Sequence, residues 1–293
     1  MGITDTDVAA GGLGYAVADA IIQFNKVNVF WPLVEKKKVM KGAIYGRFPV
    51  YTRLASSNVT ANAAGAEGAD TNATDITSTA VDIEVLRYSA RADITDLVVD
   101  GNDDNVFGNA GQILGNAISA KFDKVVGNDM TGSAVTTLSN PASPLTVDIW
   151  MEAIQKLHTE NIPGPYNAVL TPKQVWGPYG LSNQLLASGS ALGTLGMPGQ
   201  DMINNGYAGN VAGVNVYYTP ELTEQGSGSY GVMFGQGAQG VAYKDMAGNG
   251  SFIVGETERN AAGALTKLVA NGYFSTDQLN ASASVLLFTQ TSA

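Results

Sequence analysis

Two stretches of alternating residues, joined by a long segment with almost nothing to bury, constrain this fold more than any other feature. Ile44, Phe48, Val50 and Leu54 alternate with Tyr45, Arg47, Pro49, Tyr51 and Arg53, the period of a strand with one face turned inward. Pro49 cannot donate a ladder hydrogen bond, so this strand belongs at an edge or in loose pairing. Val81, Ile83 and Val85 alternate with Asp82 and Glu84, after which Leu86, Tyr88 and Ala90 become the less polar set. A slip of one residue predicts a bulge or a change of partner near Val85. Between the strands lie 26 residues, Ala55 to Ala80, in which Val59 and Ile76 are the only large apolar side chains. Loops longer than about 15 residues are uncommon inside compact domains and are usually functional or disordered.

The two arms carry opposite charges, Arg47 and Arg53 going out and Asp82 and Glu84 coming back. One reading is a hairpin with surface charge pairs. The sharper reading is a protruding arm ordered only against another subunit. In it, Arg47, Arg53, Val59, Ile76, Asp82 and Glu84 are the candidate inter-subunit contacts.

The flanking segments divide the chain further. Residues 1–41 read as an arm, with Ala16, Ala20, Ile21 and Phe24 on one helix face, Trp31-Pro32 as an interruption, and a basic run at Lys36, Lys37, Lys38 and Lys41. That run is a solvated face or, alternatively, a patch near a polyanion. Residues 103–128 predict the longest helix, with Asp103 and Asp104 at its start and Ala110, Leu114, Ala117, Ile118, Phe122 and Val125 at helical spacing. Gly108, Gly111 and Gly115 inside it suggest another backbone close by. A second helix is predicted from Val147 to Thr159, stopped by Asn161, Pro163 and Gly164. Thr171-Pro172-Lys173-Gln174 has the capping-box pattern of a helix start. Val214, Val216 and Tyr218 read as a strand ended by Pro220, and Ser284 to Thr289 as a last strand returning to the first domain's sheet.

The chemistry motifs exclude more than they offer. The chain has no cysteine, which removes disulfides, thiolate metal sites and thiol nucleophiles. His158 is its only histidine, so one chain cannot form a His-pair metal site. Gly235-Gln-Gly-Ala-Gln-Gly240 matches the dinucleotide fingerprint, but Val241-Ala-Tyr follows as a strand where a helix is needed. Asp100-Gly-Asn-Asp-Asp-Asn105 resembles the start of a calcium loop but lacks its glycine and its final glutamate. Neither a Gly-x-Ser-x-Gly elbow nor a Gly-Lys-Ser/Thr phosphate loop occurs. No catalytic, cofactor or metal site is therefore assigned, and no enzyme is expected. The 26 acidic against 16 basic residues, a net charge of -10, argue against a nucleic-acid reader. The acidic N-terminus is unlike a signal peptide, and no apolar run approaches the ~18 residues of a spanning helix, so no membrane partner is expected.

Three phrases complete the pattern. They are Asn167-Ala-Val-Leu-Thr-Pro-Lys-Gln-Val-Trp, Gly206-Tyr-Ala-Gly-Asn-Val-Ala-Gly-Val-Asn-Val-Tyr-Tyr-Thr-Pro-Glu-Leu, and Tyr230-Gly-Val-Met-Phe-Gly-Gln-Gly-Ala-Gln-Gly-Val-Ala-Tyr. Taken in order with the arm, the extended loop and the long helix, they resemble the major capsid proteins of tailed bacteriophages, with the Hong Kong ninety-seven coat fold. The resemblance covers about residues 15–290 and implies an α+β fold. Its parts would be an N-terminal arm (1–41), an extended β-hairpin loop (42–94), a peripheral domain with a spine helix (95–165), an inserted axial domain (166–262) and a return to the peripheral domain (263–293).

The function so implied is a structural subunit of an icosahedral shell around double-stranded DNA, assembling with itself into hexamers and pentamers. A separate scaffolding protein is implied, because no long scaffold-like segment precedes the arm, together with a portal protein and room for a decoration protein. Packaged DNA would be touched only weakly and without sequence preference. The expected location is the virion, and the host cytoplasm during assembly. The rivals are a fibre or surface-layer protein, equally low in charge, and an oxidoreductase built on the glycine fingerprint.

Overall fold

A computed structural model describes residues 28–51, 78–101, 106–134, 136–140, 143–183, 207–246 and 252–291. The first elements are β1 (Glu35–Lys38), β2 (Tyr45–Tyr51), β3 (Ser78–Glu84), β4 (Leu86–Thr95), α1 (Asp96–Gly101) and α2 (Val106–Ser133). They are followed by β5 (Thr136–Asn140), α3 (Val147–Thr159), β6 (Tyr166–Leu170), α4 (Pro172–Trp176), β7 (Tyr207–Val211) and β8 (Val214–Tyr218). The last are β9 (Glu224–Gln225), β10 (Gly228–Phe234), β11 (Gln239–Tyr243), β12 (Ile253–Asn260), β13 (Leu265–Gln278) and β14 (Ser284–Gln290).

Five strands form one sheet around the long β13. One edge of β13 pairs antiparallel with β4, from Leu265 opposite Thr95 to Phe274 opposite Leu86. Its other edge takes β12 and then β11, and β1 adds to β11 in parallel at the end. The inward side chains of β4 are Tyr88, Ala90, Ala92 and Ile94; of the set expected after the slip, Tyr88 and Ala90 turn inward, whereas Leu86 is exposed. Helix α2 covers this sheet with Leu114, Ile118, Phe122, Val126 and Met130, one side chain per turn. Each fully buried apolar side chain of this kind contributes about 1.5–3 kcal/mol. Gly108, Gly111 and Gly115 are buried on the same helix. The helix runs five residues beyond its predicted end, and Ala117, expected inside, is exposed. Residue 126, at the next turn, is buried where Val125 was expected and only half-buried.

Seven strands form the second sheet, in the order β5-β14-β10-β6-β8-β7, with β9 on β10. Helix α3 starts at Thr146, whose side chain accepts the N–H of Ile149, and buries Trp150, Ala153 and Leu157. Helix α4 opens with the expected capping box. Thr171 Oγ1 accepts the N–H of Gln174, and Gln174 Oε1 accepts the N–H of Thr171 at 3.2 Å. The amide of Gln174 then donates to Ser229 O and Thr289 Oγ1, both at 2.9 Å, so one cap also ties β10 to β14.

The sheets redraw two sequence expectations. The last strand was expected in the first domain's sheet, but β14 lies between β5 and β10 in the seven-stranded one. Its Val285 and Leu287 alternate into the core holding Trp150 and Leu170, a choice of sheet that local alternation does not encode. Strands β11 and β12, expected with the glycine-rich insertion, belong to the five-stranded sheet, whereas β5 and α3 belong with the seven-stranded one.

The candidate inter-subunit surface

The third sheet is the hairpin. Strands β2 and β3 pair antiparallel, from Tyr45 opposite Glu84 to Tyr51 opposite Ser78. Val85 breaks the ladder, its N–H donating to Ile44 O at 3.0 Å, and the chain then changes partner from β2 to β13. The phase slip in the sequence marks this exchange.

Small residues seat the hairpin on the body. A Cβ on Gly46 would lie 2.8 Å from the Cβ of Ala242 and 3.2 Å from Val39, so only glycine lets β2 cross β11 this closely. Phe48 and Ile83 bury themselves there with Val39 and Ala242. This cluster of four buried residues is the hairpin's entire share of a core among the described residues.

The opposite face points to solvent. It carries Tyr45, Arg47, Pro49 and Tyr51 on β2 and Ser78, Ala80, Asp82 and Glu84 on β3. Arg47 grips Asp82 with two hydrogen bonds, Nε to Oδ1 and Nη2 to Oδ2, both at 2.8 Å. The hydrogen bond from Arg47 holds the Asp82 carboxyl below its usual range. This pair is fully exposed, so its effect on folding is small. Its value lies in presenting a neutralised, planar patch between two tyrosines, a composition common where surfaces are buried on association. Of the six predicted contact residues, the fold thus joins Arg47 to Asp82 and sets Glu84 on the same face opposite Tyr45. Arg53, Val59 and Ile76 lie outside the described residues.

Two features escaped the sequence reading. Glu35–Lys38, read as a charged run, is a strand, bonded in parallel to Gly240–Tyr243. Its four side chains are exposed, so no alternation could reveal it. The second feature is Asp123, buried on α2, whose Oδ2 accepts the N–H of Val29 at 3.1 Å and whose Oδ1 accepts that of Phe30 at 3.2 Å. Burial pushes its carboxyl up to about 7, against the two N–H bonds and with a small push from Glu221. The available signal was an acid flanked by Phe122 and Val126 on a predicted apolar face. Trp31 then packs against Phe122, Tyr243 and Phe252, with ring centroids 5.5, 5.4 and 4.8 Å away.

The other motifs take ordinary places. Gly240 falls within β11 and Gly237 sits in the preceding turn at φ +75°, so this glycine run has no helix N-terminus to face a pyrophosphate. His158, near the end of α3, lies edge-on to Tyr166. The arm face at residues 16–24 and the acids at 103 and 104 lie outside the described residues, as does most of the calcium-like loop. Among the described residues no group of three or more His, Asp or Glu could hold a metal, and no helix is long and apolar enough to cross a membrane.

Several solved structures share this architecture. The capsid of the cyanophage P-SCSP1u is similar over 91% of this chain and 89% of its own, with 14% identity and a TM-score of 0.63. The capsid of Ralstonia phage GP4 is similar over 89% and 88%, with 12% identity and a TM-score of 0.67. The SrpI encapsulin of Synechococcus elongatus is similar over 89% and 86%, with 10% identity and a TM-score of 0.64. No curated protein matches the sequence. The phage capsid protein family matches residues 78–274. That span runs from the returning strand of the hairpin through α2 and both large sheets to β13, and by it the chain belongs to the phage capsid protein family.

Proposed function

We propose that this chain is the major subunit of the icosahedral head of a tailed phage, assembling into hexamers and pentamers around double-stranded DNA. The observation that supports this reading best is the hairpin. It projects from the body on a four-residue core and presents tyrosines and a neutralised ion pair to solvent. Such a face gains by burial against a neighbour. In this reading Arg47, Asp82 and Glu84, with Arg53, Val59 and Ile76 further out, meet an adjoining subunit.

The five-stranded sheet with α2 serves as the peripheral domain, and the seven-stranded sheet as the axial domain that converges at the capsomer centre. A separate scaffolding protein guides assembly, a portal protein occupies one vertex, and the finished surface leaves room for a decoration protein. The acidic chain touches packaged DNA only weakly. Assembly takes place in the host cytoplasm and the product is the virion. We assign the chain no catalytic role.

Negative-stain microscopy of the purified chain tests this. Closed shells are expected. Filaments or flat sheets would instead support a fibre or surface-layer protein, and particles of one or a few subunits would reject a shell altogether.

A further inference from the structure

We infer that Asp123 is a proton-operated latch on residues 28–34. With a proton on its carboxyl the segment stays seated, and with the proton lost the segment opens locally while the rest of the subunit stays folded. The latch belongs to the subunit itself and does not depend on the shell reading. Three elements build its seat. Residues 28–34 lead into β1 and bring Val29, Phe30 and Val34 into the core. Helix α2 offers Asp123, whose two oxygens accept the N–H groups of Val29 and Phe30. The loop after β8, residues 219–223, closes the third side. Gly127 lies one turn beyond Asp123, and a Cβ there would stand 2.7 Å from Leu222 and 3.5 Å from the Phe30 ring. Thr223 Oγ1 donates to Asn128 Oδ1 at 2.6 Å. The segment is thus a wedge where α2, packed on the five-stranded sheet, meets a loop of the seven-stranded one.

The polar groups that hold the wedge are out of balance. Asp123 is 3% exposed, and no cation pairs with it among the described residues. Its surroundings supply little to offset its charge. On α2, Lys121 and Lys124 are exposed, and Asp129 accepts from Gln239. Residues 28–34 carry no charged side chain, and Lys36, just past them, lies over the Trp31 ring. The strands beneath turn Phe252, Phe274 and the phenol of Tyr243 toward Phe122 and Trp31. The loop brings Glu221, whose negative charge opposes ionisation. Two further polar atoms are stranded. Asn28 Nδ2, beside Val29, and Ser119 Oγ, one turn before Asp123 on the same helix face, are buried with no hydrogen-bond partner among the described residues. A junction that leaves buried donors and acceptors unpaired gives up stability at that place.

The sign follows from where the charge goes. A protonated carboxyl carries no charge into the core and still has an oxygen free to accept an N–H. An ionised one serves both N–H groups but keeps an unpaired charge buried near Glu221, and opening the segment returns that charge to water. Losing the proton therefore favours opening, and a value of about 7 sets the change near neutrality. Opening also takes the Phe30 ring away from Gly127 and Leu222, so the same proton governs how firmly one sheet's loop is tied to the other sheet's helix.

Hydrogen exchange of the full chain, read by mass spectrometry and corrected for the intrinsic pH dependence of exchange, tests the latch. Peptides covering 28–34 and 219–223 should exchange ahead of those covering 147–159 and 265–278 at every pH, the mark of local opening. Their protection should fall by about thirtyfold between pH 5 and pH 8. Asp123→Asn should remove that pH dependence. Glu221→Lys puts a cation where the opposing charge stood, and it should move the midpoint to lower pH and hold the segment closed at pH 8. If the Asn variant does not fold, the unaltered chain and Glu221→Lys decide between them. Exchange of 28–34 in step with 265–278 at every pH would overturn the inference, since the segment would then open only with the whole fold. So would protection that does not change with pH, a pH dependence that survives Asp123→Asn, or a midpoint that Glu221→Lys leaves in place.

Discussion

Two segments leave the body of this subunit in extended form, and they are held in opposite ways. The chain around residues 28–38 is drawn in. Phe30 is completely buried, Trp31 joins a four-ring cluster, Asp123 accepts two successive backbone N–H groups, and β1 extends a large sheet. The hairpin is pushed out. Among its described residues it buries only Phe48 and Ile83 against the body, and its two strands pair with each other. Extended backbone is common to both. What differs is whether large apolar side chains face the body or face away from it. A segment rich in inward aromatics belongs to the subunit, and one with tyrosines and charges outward belongs to whatever comes next to it.

The strongest way to break this contrast is to remove the outer hairpin. Replacing residues 55–77 by a short Gly-Ser turn should abolish shells in the microscope while leaving the circular dichroism and a single cooperative unfolding transition intact. Loss of cooperative folding would show that the hairpin tip serves the subunit's own stability. The converse change acts on the segment that is drawn in. Phe30→Ala should lower the stability of the isolated subunit by about 3–5 kcal/mol, measured by urea unfolding. Tyr51→Ala, on the exposed face of β2, should change it little. Equal losses from the two would erase the distinction.

The smallest effect concerns Asp123 and is read as a slope. An acid with a raised carboxyl prefers to be protonated in the folded state, so the stability it contributes is fully present below the unfolded value near 4 and is lost as pH rises through about 7. Asp82, Asp93 and Asp96, lowered by their arginine partners, act in the opposite sense and only in more acidic solution. Stability should therefore fall between pH 5 and pH 8 by on the order of 2 kcal/mol from Asp123. Asp123→Asn should flatten most of that slope. Asp129, also raised by burial and donated to by Gln239, should supply what remains. An unchanged slope in the Asn variant would separate the arm's anchorage from proton binding.

Local signals in the sequence proved good at ends and breaks. The span of α3 from Val147 to Thr159, the capping box at Thr171 and Gln174, and the exchange of partners at Val85 are each written in a few adjacent residues. The candidate contacts were legible only in part. The pairing of Arg47 with Asp82 follows from hairpin register, while the choice of a neighbour for either is a property of an assembly. Distant partnerships left no local trace. Four exposed residues in β1 form a strand because β11 offers a free edge, and β14 enters one sheet rather than the other because its core is shared with α3 and β6. Asp123 was visible as an acid inside an apolar stripe, but its acceptors' partners lie more than ninety residues earlier.

The place of β14 also sets a timetable. It separates β5 from β10, pairing in parallel with the first and antiparallel with the second. While a ribosome is still short of Gln290, the sheet that holds Trp150 and Met233 lacks its second strand, so β5 has no strand partner and β10 keeps an open edge. A nascent chain can complete its hairpin and lay down α2, yet it has no finished second core until translation has passed the last strand. A fragment cut short before Ser284 would keep those open strand edges and an unfinished second core, the kind of surface that pairs with the wrong partner.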